Sequence, residues 1–97
     1  MIEHLVLFRV KAHTQVEDEL KMLNGLRSLP GHVASIVELS CGKNTSDRSQ
    51  GFTHGLLVRF RSQADLDAYI VHPEHRRIVS ECISPIVENV IVVDYEV

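Results

Sequence analysis

The chain has no tryptophan, three phenylalanines and two tyrosines in 97 residues. That leaves little flat aromatic surface on which a planar substrate could stack. Its two cysteines, Cys41 and Cys82, are too few for a disulfide framework and wrongly spaced for a zinc site. Two small buried thiols are expected instead. No apolar run reaches the ~20 residues that span a bilayer, so no membrane partner is expected. The opening MIEHLVLFRV is too short and too polar for a secretory leader, and a cytoplasmic location follows as the expectation. The basic residues do not cluster. Arg76-Arg77 is the one basic pair, Lys11, Lys21 and Lys43 stand apart, and the net charge is −3. Without a basic patch, no nucleic-acid partner is expected.

What is present is enough apolar material for a core. Hydrophobic residues make up 44% of the chain, which excludes disorder. The length predicts one domain, residues 1–97. A core of that size is small, and association with a partner would help it.

Residues 2–10, IEHLVLFRV, are β-branched and apolar with no breaker, which predicts a strand. Residues 15–29 carry Val16, Leu20, Leu23 and Leu26 at helical spacing. Thr14 and Glu17 have the spacing of a capping box, and Pro30-Gly31 ends the helix. A second strand is predicted over 33–41, a polar loop over 42–51 and a third strand over 52–60. Ser62 caps a second helix with Asp65 in its first turn, and Leu66, Tyr69 and Ile70 are placed on its buried side. Pro73 interrupts, a short helix follows over 74–83, and 87–95 forms the last strand. The order β-α-β-β-α-β predicts an α+β, ferredoxin-like fold with an antiparallel four-stranded sheet in the order 4-1-3-2. A faint repeat accompanies it. His4 precedes Arg9 by five places and His54 precedes Arg59 by five.

The strands are apolar on both faces. Val6 and Phe8 point one way and Leu5 and Leu7 the other. Two helices cover one face only, and each Leu or Val left wet forgoes ~1.5–3 kcal/mol. A homodimer packed sheet to sheet, a dimeric α/β barrel, is therefore expected.

Histidine, tyrosine and a carboxylate then converge. His4 shares a face with Val6 and Phe8, His54 with Leu56 and Val58, and Asp94 with Val90 and Val92. With the first and third strands expected to run parallel, His4 and His54 are expected side by side. Asp94 returns beside His4, and the second helix brings Tyr69, His72 and His75 to the same edge. An Asp beside a His orients its ring and raises its basicity, as a general base requires. A nearby tyrosine can donate to a developing oxyanion. A plainer reading stands beside this one. His4 and His54 can be satisfied core histidines, His72 a helix-end residue with a structural hydrogen bond, and Tyr69 core packing. His72 and His75 straddle a proline, and no His-x-x-x-His pair sits on one regular helix. No metal and no cofactor are expected.

The segments EHLVLFRV, GFTHGLLVRF, AYIVHPEH and VVDYEV, in this order and at this length, resemble the stress-responsive α/β barrel (Dabb) family. The resemblance implies small dimers of ferredoxin-like subunits. A plant polyketide cyclase of that family carries a Tyr-Ile-Ile-His-Pro-Ala-His block, which here reads Tyr69-Ile70-Val71-His72-Pro73-Glu74-His75. By that resemblance His75 is the base, Tyr69 polarises a carbonyl and Asp94 orients His75. The ligand-binding set is His4, Val6, Phe8, His54, Leu56 and His72. The first helix carries Leu20, Leu23 and Leu26 where the cyclase has a tyrosine, so the pocket base differs.

Three functions compete. One is a dimeric stress-response protein holding a small apolar or polyketide-like ligand. The second is a cyclase-type enzyme using His75 and Tyr69. The third, a monooxygenase, rests on fold analogy alone.

Overall fold

The computed structural model of the protein describes all of residues 1–97. Its elements are β1 (Ile2–Val10), α1 (Val16–Ser28), β2 (Ile36–Lys43), β3 (His54–Phe60), α2 (Gln63–Ile70), α3 (Pro73–Ile78) and β4 (Val87–Glu96). A short 3-10 turn, Leu29–Gly31, extends α1, and a π-helical turn, Val79–Ile83, extends α3. No helix is long and apolar enough to cross a membrane.

The sheet has four strands in the order β2-β3-β1-β4. β1 pairs antiparallel with β3, Ile2 opposite Phe60 and Phe8 opposite His54. This corrects the expectation that the two run parallel. The crossover through α1 brings β2 back in the direction of β1, and the β2–β3 hairpin then reverses the chain. β3 inserts between them and opposes both. His4 lies opposite Val58, so His4 and His54 belong to opposite ends of the sheet.

The helices lie on one face and bury Ile2, Val6, Phe8, Leu56, Val58 and Phe60 beneath Met22, Leu26, Leu66, Tyr69 and Ile78. Gly25 lets α1 approach the segment after α2 closely. A Cβ there would stand 3.1 Å from Ile78 Cδ1 and 3.2 Å from Cys82 Sγ. The other face presents Leu5, Leu7, Leu57, Ile91, Val93 and Tyr95, half-buried or exposed, and no element of the chain covers it.

Several local expectations are corrected. Gln15, not Thr14, is the N-cap of α1, and it has no side-chain cap bond. Thr14 instead donates to the Lys11 carbonyl in the preceding turn, where His13 adopts a left-handed φ of 66°. Val16 and Leu20 are exposed, because the face of α1 turned to the sheet runs through Glu19, Met22, Leu23, Leu26 and on to Leu29, and those two lie off it. Ile70 is exposed at the end of α2, while Leu66 and Tyr69 point inward. Pro73 begins α3 rather than merely interrupting α2. A proline suits the first helical turn because its missing N–H would be unbonded there anyway. β2 starts at Ile36, since the 3-10 turn consumes Leu29–Gly31 and Val33 packs into the core. The cap by Ser62 is as expected, its hydroxyl accepting from the Asp65 N–H at 3.2 Å. Cys82 is buried and Cys41 half-buried, both as free thiols.

Candidate functional site

The pairing of β1 with β4 sets His4 opposite Asp94. Both side chains rise on the helical face, and His4 Nδ1 lies 2.5 Å from Asp94 Oδ1. The aspartate accepts there, so Nδ1 of His4 carries a proton. α2 brings Tyr69 down over the same end. Its ring centroid is 5.9 Å from that of His4, edge to face, and 5.1 Å from that of Phe60 at the end of β3.

The third ring comes from α3. His72 caps this helix by accepting from the Glu74 N–H at 3.1 Å through Nδ1. The cap and Pro73 fix the start of α3 and place His75 within its first turn, with its ring centroid 4.4 Å from that of Tyr69. His75 Nδ1 stands 3.0 Å from the Ile70 carbonyl. A carbonyl only accepts, so Nδ1 holds the proton. In the neutral ring Nε2 then carries the free lone pair.

Electrostatics favours that neutral ring. Burial is the largest influence on His75 and lowers its pKa from 6.5; the bond to Ile70 opposes this, and the nearby charges of His4, Arg76 and His72 assist it. Tyr69 is almost fully buried, and burial alone pushes its pKa above the usual 10. It is a neutral hydroxyl, fit to donate.

These groups line one end of a cavity of about 260 Å³. His4, Tyr69, His75 and Asp94 supply the polar end. Val6, Phe8, Leu26, Leu56, Ile70, Val79, Ile83, Val90 and Val92 supply apolar walls. Val6, Phe8 and Leu56 were selected by strand periodicity. Leu26 was placed at the pocket base together with Leu20 and Leu23, which do not line the cavity; Ile70, Val79, Ile83, Val90 and Val92 were not nominated. Val90 and Val92 were legible, since they share the face of Asp94 at a spacing of two.

The rest of the sequence-derived set falls elsewhere. Asp94 bonds His4, not His75; the register decides this, and His75 has a backbone carbonyl in place of a carboxylate. His72 is spent on the helix cap and does not line the cavity. His54 lies at the far end of the sheet, because β3 runs opposite to β1. It is 2% exposed, with Nδ1 2.8 Å from Thr53 Oγ1 and Nε2 3.3 Å from Glu19 Oε1. Nε2 makes no well-aligned hydrogen bond. Burial lowers the pKa of His54, with Glu19 opposing the effect and Lys43 adding to it. A larger and more open depression, about 450 Å³, borders His54, Lys43, Asn44, Ser49 and Phe52. It lacks the tyrosine and the second histidine. No group of three or more His, Cys, Asp or Glu side chains is placed to hold a metal ion.

Known proteins share this fold and much of its sequence pattern. The model of the Stress responsive A/B Barrel Domain, Dabb, matches residues 2–97. The chain belongs to this family. The Dabb domain is similar to two curated stress-response A/B barrel domain-containing proteins of Arabidopsis thaliana. The first is 32% identical over 96 residues, which cover 98% of this chain and 36% of that protein. The second, named DABB1, is 34% identical over 99 residues, covering 98% of this chain and 46% of that protein. The domain thus spans less than half the length of either relative. Among solved structures, a dimeric protein of unknown function and ferredoxin-like fold from Bacteroides fragilis superposes with a TM-score of 0.85 at 25% identity, covering 99% of this chain and 95% of the other. A hydroxynitrile lyase from Passiflora edulis superposes with a TM-score of 0.87 at 23% identity over 97% of this chain and 90% of its own. At that identity the likeness is one of fold.

Proposed function

We propose that this Dabb domain acts as a homodimer that binds a small molecule with an apolar body and one polar, carbonyl-bearing end. The observation that carries this reading is the division of the His4–Asp94 cavity into a polar end and apolar walls. Few precisely placed polar groups in an otherwise apolar pocket are what orient a small ligand. The dimer is supported by the uncovered apolar sheet face and by the dimeric descriptions of similar ferredoxin-like proteins from Bacteroides fragilis and Jannaschia.

A second reading, acid–base catalysis, is favoured by the locked tautomer of His75. Its Nε2 lone pair would take a proton from the carbon beside a ligand carbonyl. Tyr69 would donate to the carbonyl oxygen as negative charge develops there. His4, its Nδ1–H held by Asp94, would line the same end and keep Asp94 from competing for the ligand. The product enolate could then attack a second carbonyl of the same chain, which is the aldol step of a cyclase.

The test is a native-mass and thermal-shift comparison of the protein with β-keto acids and with long-chain apolar acids. Stabilisation by one class, lost in Tyr69→Phe and in His75→Ala while both variants remain folded dimers, is expected. Stabilisation that survives both substitutions would remove the polar end from recognition. Turnover of the stabilising β-keto acid by the wild type, absent in His75→Ala, would select the catalytic reading.

A further inference from the structure

The β4 wall of the cavity is unfinished. Val90 and Val92 line it, yet they are 44% and 51% exposed. The Asp94 side chain is 37% exposed although it bonds a buried histidine. The cause is position. β4 is an edge strand paired only with β1, and the helical layer does not reach over it. On its opposite face Ile91 and Val93 are exposed as well. From Val90 to Val93 the edge carries no charge and no proline, the devices that normally keep an edge from pairing.

Similar ferredoxin-like proteins described as dimers point to a second copy as the cover, and two charged groups lie beneath the same face. Glu3, on the uncovered sheet face, is 3% exposed. Its Oε1 accepts from Arg59 Nε at 2.5 Å, and its Oε2 has no partner. Arg9, on the same face of β1, has a buried Nε 3.2 Å from Glu88 Oε1 without an aligned hydrogen bond. Orphaned buried polar atoms are costly. Both atoms are already shielded by the chain's own packing, so it is the leucines and valines around them that a copy of the chain would cover.

We propose that a second copy of the chain, seated on this face and along β4, completes the β4 wall, so that the cavity is whole only in the dimer. This rests on the ligand-pocket reading above. Packing there removes water from Val90 and Val92, which gives an apolar ligand a dry wall. It also dehydrates the Asp94 carboxylate, and a hydrogen bond to His4 is stronger in a drier surrounding. Ligand binding is then linked to association, each favouring the other.

Leu57→Glu and Ile91→Glu test this, because both residues face away from the cavity and are exposed in the single chain. Three readouts are taken on the full chain: mass by sedimentation, the ring resonances of His4 and His75 by NMR, and binding of β-ketodecanoate. Expected are folded monomers in which both ring signals move and the probe binds roughly tenfold more weakly or worse. Folded monomers with wild-type ring signals overturn the proposal, whether or not the probe binds. So do variants that remain dimers, or a wild type that is monomeric at micromolar concentration. If the probe binds no form, the pocket reading fails, and the ring signals still decide whether the dimer shapes the site.

Discussion

The segments His4–Arg9 and His54–Arg59 look alike in the sequence, and the fold uses both in the same way at first. Each begins on a central strand, turns its histidine to the helical face and meets a carboxylate. There the likeness ends. His4 meets Asp94 on a neighbouring strand, with Tyr69 and His75 beside it and an apolar cavity in front. His54 meets Glu19 of α1, itself 3.8 Å from Lys43 Nζ, with no tyrosine or second histidine beside it. One histidine belongs to a place a ligand can reach. The other fastens α1 to the sheet. The lesson is that a histidine–carboxylate pair has no role of its own; the groups the helices bring to it assign one.

The largest expected effect loosens one end only. Phe60 is fully buried and supports the Tyr69 ring. Phe60→Ala should cost about 3–5 kcal/mol in urea denaturation. In what remains folded, the His4 and His75 resonances should shift while His54 stays put. Equal disturbance at both ends would mean that they are not independent.

Next in size is the fastening itself. His54→Ala leaves Glu19 without its ring and opens a void, and should cost about 2 kcal/mol. Ligand stabilisation should persist in that variant. His75→Ala, at a half-buried position, should cost less than about 1 kcal/mol and abolish that stabilisation. Reversed outcomes would exchange the roles given to the two ends.

The smallest effect concerns protons. Burial lowers the pKa of both His54 and His75 below the ordinary 6.5. Between the lowered value and 6.5 the unfolded chain binds more protons than the folded one. Stability from keeping these rings neutral is therefore complete above 6.5 and is lost as the pH falls through that value and below. Denaturation midpoints should drop on acidification from about pH 7.5 to about pH 5, and less steeply in His75→Ala than in the wild type. An unchanged slope in that variant would assign the acid sensitivity to His54 alone.

Much of the fold was legible because it rests on periodicity and punctuation. A run of β-branched residues makes a strand wherever it lies, and Ser62 caps a helix by a bond three residues long. The cavity walls contributed by Val6, Phe8 and Leu56 were legible for the same reason, since period two fixes their face. The α1 register was not. Val16 and Leu20 repeat at helical spacing as convincingly as Leu23 and Leu26, and only the rotation of α1, which turns Glu19 toward His54, leaves the first pair outside. His72 and Pro73 also read ambiguously, as a helix end or a helix start, until α3 was seen to begin there.

The residue types, their faces and the order of the elements were determined by the sequence, because these depend on bonds and spacings within a few residues. The partner of each polar group was decided by tertiary structure. Asp94 could have oriented His75; antiparallel register gave it to His4 instead, and a backbone carbonyl holds His75. His54 could have joined the cavity; the direction of β3 took it to the far end. Contacts between residues distant in the chain are set by how strands pair and helices pack, and local pattern does not encode them.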